Sequence, residues 1–120
     1  MNLPAGGSMI EFDDFLKVDI RAGLITKAER VPKSDKLLKL VVDFGELGIR
    51  QVLAGIGLNH DPQAVVDRVA AFIVNLKPRK MMNLESQAMI LATEAKNASG
   101  ETSVVVVWLP TTVVSGARIG

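Results

Sequence analysis

VDIRAGLITKAERV, residues 18–31, sets apolar and charged side chains in alternation. Val18, Ile20, Ala22, Leu24 and Ala28 fall on one face, and Asp19, Arg21, Lys27 and Glu29 on the other. Successive side chains of an extended chain point to opposite faces, so this period is that of a half-buried β-strand. The stretch is long for one strand, and Gly23 lies inside it. Glycine within a strand often marks a bulge or sharp bend, the device by which a small barrel turns a corner.

Working outward, Pro32-Lys33-Ser34-Asp35 breaks the chain before a second strand. There Leu38, Leu40, Val42 and Phe44 point inward, with Lys39 and Asp43 outward. Residues 45–48 turn, and residues 49–56 read as a third strand. Asp61-Pro62 is a helix start, Asp as N-cap and Pro at the first helical position, giving one or two turns over residues 63–68. Residues 69–76 are nearly all apolar, as in a strand buried on both sides. A fifth strand covers residues 88–93, a turn residues 97–100, and a further strand residues 104–109, with another turn at Ser115-Gly116. The expected class is therefore all-β. Three strands, a short helix and two strands is the connectivity of an OB-fold, a five-stranded, partly open barrel. The additional β tail makes a C-terminal β extension. Any small barrel or sandwich would share much of this pattern.

The chain has 120 residues, 48% of them hydrophobic, enough for one well-filled core. Met1–Ser8 (MNLPAGGS) is rich in Pro, Gly and Ser and reads as a flexible leader or cloning remnant, leaving residues 9–120 as the folded domain. No run is long and apolar enough for a membrane helix, and no secretory signal is apparent. Cysteine is absent, which excludes disulfides, thiol nucleophiles and thiolate metal sites and fits a cytoplasmic protein. The single histidine, His60, offers no metal site and reads as a loop residue. Neither a nucleophile elbow nor a phosphate-cradling glycine motif occurs. We expect no enzyme activity, no metal and no cofactor.

Fourteen Lys and Arg against thirteen Asp and Glu leave a net charge of +1, so an anionic partner must be met by a local cluster. The informative stretch is NLKPRKMM, residues 75–82. Lys77, Arg79 and Lys80 surround a proline that keeps the backbone extended, directly after a buried strand. Such a segment can neutralise phosphates without reading a base sequence. A solvated β-turn would use the same residues. Lys33, Lys36 and Lys39 form a second basic set around the first barrel loop, and Arg21 and Arg50 could extend it. Ser86 and Gln87 can bond phosphate, sugar or base edges, and Met89 is a soft surface for a base, although from the residues alone a core methionine at a strand entry is the favoured reading. Aromatic residues are only 4%, which argues against a stacking platform and toward recognition of RNA shape, backbone and one or two exposed bases.

Four segments carry a resemblance: DFLKVDIRAGLI (residues 14–25), SDKLLKLVVDFGE (34–46), RQVLAGI (50–56) and NLKPRKMMNLESQAMIL (75–91). In this order they resemble the bacterial tRNA-binding domain family, over roughly Ile10 to the end. That family comprises the C-terminal appendix of methionyl-tRNA synthetase, freestanding tRNA-binding proteins and small export-chaperone-like proteins. The resemblance implies an OB barrel whose C-terminal β extension helps to form a homodimer. It also implies non-catalytic binding of tRNA at its outer corner, largely by shape. By position, the implied tRNA contacts are Lys36, Asn75, Lys77, Arg79, Lys80, Ser86 and Met89. An aminoacyl-tRNA synthetase is a further implied partner, and a peptide-binding export chaperone on the same scaffold is the alternative. Three sites depart from the family pattern: Asn83 where Gly is common, Ala54 where many relatives have Ser, and the pair Gln87-Ala88 where a Glu/Gln-Gly or similar pair is common. Asn tolerates positive φ better than most residues, so a turn at Asn83 is expected to survive. The apolar tail, residues 104–109, is too continuously apolar for an edge strand facing water; a strand fully buried in the monomer is one reading, and the resemblance puts a dimer interface ahead of it.

Overall fold

The computed structural model describes residues 7–120, so most of the expected leader lies outside the described residues. A one-turn helix, α1 (Phe12–Phe15), precedes three antiparallel strands, β1 (Ile20–Arg30), β2 (Leu38–Asp43) and β3 (Ile49–Ala54). Helix α2 (Pro62–Val65) leads to β4 (Val69–Ile73). A hairpin of β5 (Arg79–Met81) and β6 (Leu84–Ser86) follows, then β7 (Met89–Ile90). The C-terminal extension contains β8 (Ala92–Lys96), β9 (Thr102–Val106), β10 (Trp108–Leu109) and β11 (Arg118–Ile119). The main sheet runs β10-β4-β1-β2-β3, with β7 on β4 and β11 on β1. Two ribbons, β5-β6 and β8-β9, stand beside it. The result is an OB-like antiparallel barrel that stays partly open, as β3 and β7 share no continuous ladder.

The central strand departs from its simplest reading. Its register shifts between Ile25 and Lys27, so Ile25 and Ala28, three apart, both meet the core. A one-residue bulge has this effect on a period of two. Gly23 is not the bulge. A Cβ there would sit 2.6 Å from side-chain atoms of both Phe44 and Val42, so glycine is needed to let those side chains close over the strand. Ala22 lies on the opposite face, buried instead beneath the C-terminal segment, with which it exchanges backbone hydrogen bonds at Gly116 and Ala117.

The core follows the expected pattern of β2, where Leu38, Leu40, Val42 and Phe44 are fully buried. Phe44 and Phe72 meet edge to face at 5.2 Å, a geometry worth about 0.5–1.5 kcal/mol beyond burial alone. Asp61 caps α2 by accepting from the Gln63 N–H at 3.2 Å. The helix makes one turn, the shorter of the two lengths expected, and Asp67 adopts φ +67° to send its N–H to the Ile25 carbonyl. The apolar tail is split between β9 and β10. Val106 is buried, whereas Val105 and Val107 remain exposed, so it is no fully buried strand in this single chain.

The start of β1 and the C-terminal segment meet around one ion pair. Arg21 Nε donates to Asp19 Oδ1 at 2.7 Å, and Arg21 Nη1 donates to the Gly116 carbonyl at 3.1 Å. Arg118 lies 4.0 Å from the same carboxylate. The hydrogen bond from Arg21 holds the Asp19 carboxyl below the usual aspartate range, against the opposing effect of partial burial.

Candidate nucleic-acid interface

Arg79 and Lys80 of the basic segment lie on the first strand of a hairpin, and Lys77 lies just before it. Arg79, Lys80 and Met81 pair with Ser86, Glu85 and Leu84 across a two-residue loop, Met82-Asn83. Both loop residues have positive φ, +53° and +64°. That is the signature of a type I′ turn, whose twist matches that of paired strands. Asn83 thus takes the conformation expected of it. Met82 takes it without asparagine's local hydrogen bonding, at a cost of about 1–2 kcal/mol.

The hairpin is pinned to β3 by side chains rather than by a ladder. Ser86 is buried, and its hydroxyl accepts from the Leu53 N–H at 3.0 Å and donates to the Ala88 carbonyl at 2.9 Å. The Gln87 amide oxygen accepts from the Gln51 N–H at 2.9 Å, and the Gln51 amide donates to the Glu85 carbonyl at 2.8 Å. The Gln87 N–H returns a bond to the Gln51 carbonyl at 2.8 Å. At the root of the loop, the Asn75 amide oxygen accepts from the Asp19 N–H at 2.9 Å while its nitrogen donates to the Lys17 carbonyl. Asn75 and Ser86 therefore act here as anchors for the segment between them.

Lys77, Arg79 and Lys80 are exposed, and none has an ion pair among the described residues. They do not share one direction. Strand alternation sets Lys80 on the opposite face of β5 from Arg79 and Met81. Arg79, Met81, Met89 and Leu53 line two adjoining hollows, of about 50 and 710 Å³. Lys77 borders the smaller, while Leu37, Gly55 and β8 border the larger. Met89 is thus half-buried at the groove and not sealed in the core.

Lys36 is exposed in the first barrel loop, next to Leu37 on the groove wall. That loop is braced by the Gly57 N–H, which donates to the Lys36 carbonyl at 2.7 Å. A Cβ on Gly57 would come within 2.8 Å of the same carbonyl oxygen, so the approach requires glycine. The wider basic face does not form. Lys39 is paired with Glu29 at 2.6 Å, a hydrogen bond that lowers the Glu29 pKa. Arg21 is held by Asp19, and Arg50 donates to the Val74 carbonyl at 2.6 Å while lying over the Phe44 ring. Sequence reasoning missed Leu53, Gly55 and Leu37 as groove residues. Their only signal, strand and turn periodicity, reports burial and not shape.

Among the described residues no group of three or more His, Asp or Glu is arranged to hold a metal ion. No helix among them is long and apolar enough to cross a membrane.

The fold and groove together define an OB-like binding module, a class that receives ligands across its strand face and neighbouring loops. A family model described as "Putative tRNA binding domain" matches residues 20–118. The chain belongs to this tRNA-binding domain family. It is similar to "Methionine--tRNA ligase" of Helicobacter pylori strain J99, 45% identical over 89 residues, covering 74% of this chain and 14% of that protein. The corresponding enzyme of Thiobacillus denitrificans is 50% identical over 91 residues, covering 76% of this chain and 13% of the relative. The chain thus matches only a small part of these relatives. A MetRS-related protein from Pyrococcus horikoshii superposes with a TM-score of 0.84 at 34% identity, covering 95% of this chain and all of that one. The chaperone CsaA from Bacillus anthracis gives a TM-score of 0.80 at 29% identity, covering 94% and 100%.

Proposed function

We propose that this chain binds tRNA without catalysing a reaction, acting from the cytoplasm as a homodimer of its 9–120 domain. The observation that carries the reading is the segment entering the hairpin: Lys77 before it and Arg79 and Lys80 on its first strand, three exposed cations without ion pairs among the described residues, in a chain of the tRNA-binding family. Lys36, Lys77, Arg79 and Lys80 would meet phosphates, Met89 would meet a base or sugar, and Asn75 and Ser86 would hold the segment in place. The methionine–tRNA ligase relatives support a role alongside an aminoacyl-tRNA synthetase, either as part of one or as its tRNA-delivering partner. Exposed Val105 and Val107 on the C-terminal extension supply apolar surface for a second copy.

Phosphate contacts release counterions, so affinity should fall at least about tenfold between roughly 50 and 200 mM salt. Binding that is insensitive to salt over this range would contradict the electrostatic reading. The likeness to CsaA favours one alternative, peptide binding on the same scaffold. Competition between tRNA and an unfolded polypeptide separates the two.

A further inference from the structure

The larger groove has features that a phosphate site does not need. Its walls include Leu53, Met81 and Met89, with Arg79 at one side and Glu94 also on the lining. Met81, Met82 and Met89 are three of the five methionines in the chain, gathered where aromatic side chains are not. Phe44 and Phe72 are in the core, and the Arg68 guanidinium covers the Trp108 ring at 3.7 Å. Gly55 is also unexplained by the fold: its φ is not positive, and a Cβ there would meet nothing within 4 Å. Unlike Gly23 and Gly57, it is required by no neighbour in the free chain. Gly55 lines the groove, and a side chain there would enter open space.

We infer that this groove takes one unstacked nucleobase of the bound RNA. The inference rests on the tRNA reading above. Met81 and Met89 present polarisable thioethers to the flat ring, which sulfur attracts favourably. Arg79 neutralises the adjoining phosphate. Glu94, an acceptor only, favours a base that presents an amino group at its edge. Gly55 leaves room for the ring. Unpaired bases are what proteins read in folded RNA, and here thioethers replace the usual aromatic platform.

Methionine oxidation by peroxide, followed by mass spectrometry, tests this on the full chain. Bound tRNA should slow sulfoxide formation at Met81 and Met89 several-fold, while heparin, a polyanion without bases, should not. Gly55→Leu should fill the groove and weaken tRNA binding about three- to thirtyfold, with heparin affinity and thermal midpoint retained. Met81→Ala should weaken tRNA in the same direction, whether or not Gly55→Leu folds. The inference is overturned if tRNA is retained on the protein while both methionines oxidise at their free rates. It also falls if carboxymethylated lactalbumin protects them and tRNA does not. Absence of any salt-dependent tRNA retention would instead remove the parent reading, and this one with it.

Discussion

The Leu53 N–H donates to the Ser86 hydroxyl at 3.0 Å, joining β3 to the basic hairpin where no strand ladder does. The attachment of the hairpin to β3 and the orientation of the candidate site therefore depend on the same atoms. Ser86→Ala leaves a buried N–H without its partner, which costs about 1–3 kcal/mol. Urea denaturation should show that loss, and tRNA affinity should fall although every cation remains. Weaker binding at unchanged stability would mean that the hydroxyl touches RNA directly.

Gly23 tests the packing account. Gly23→Ala drives a methyl into the Phe44 and Val42 side chains, and Phe72 stands 2.9 Å away, so the core cannot yield cheaply. Overpacking of this kind costs about 1–3 kcal/mol. A lowered denaturation midpoint is expected. A stabilised variant would show that β1 can shift away from the core.

These two positions also show what the sequence made legible. The inward face of β2 and the cap of α2 follow from local periodicity and chemistry, and both were readable. The bulge beyond Ile25 was not, because it depends on how β1 meets β2, and that reversed the inferred role of Gly23. Within the site, Lys77, Arg79 and Lys80 were visible as charge. That Asn75 and Ser86 hold backbone groups was not visible, since their partners lie 56 and 33 residues away. Likewise the partners of Lys39 and Arg50 lie on other segments, so those cations are engaged only on folding, whereas Asp19, the partner of Arg21, is two residues away and was within reach of the sequence.

Asp19 gives a pH dependence. Its folded pKa is lowered by the hydrogen bond from Arg21, so its contribution is present above the ordinary aspartate value of about 4 and is lost as pH falls through the folded value. Asp19→Asn should therefore be less stable than the parent at pH 7. The gap should close as both are titrated below about pH 4 in thermal melts. A gap that persists at low pH would assign the effect to packing of the side chain instead.

Lys77, just before the hairpin, and Arg79 and Lys80 on its first strand are the cations expected to carry RNA binding. The most direct measurement is the salt dependence of tRNA affinity for the parent and for a variant with Lys77, Arg79 and Lys80 all replaced by Ala. The account predicts weaker binding and a slope of log affinity against log salt reduced by about 2–3, with denaturation midpoint and oligomeric state unchanged. An unaltered affinity and slope in a folded triple variant would contradict it.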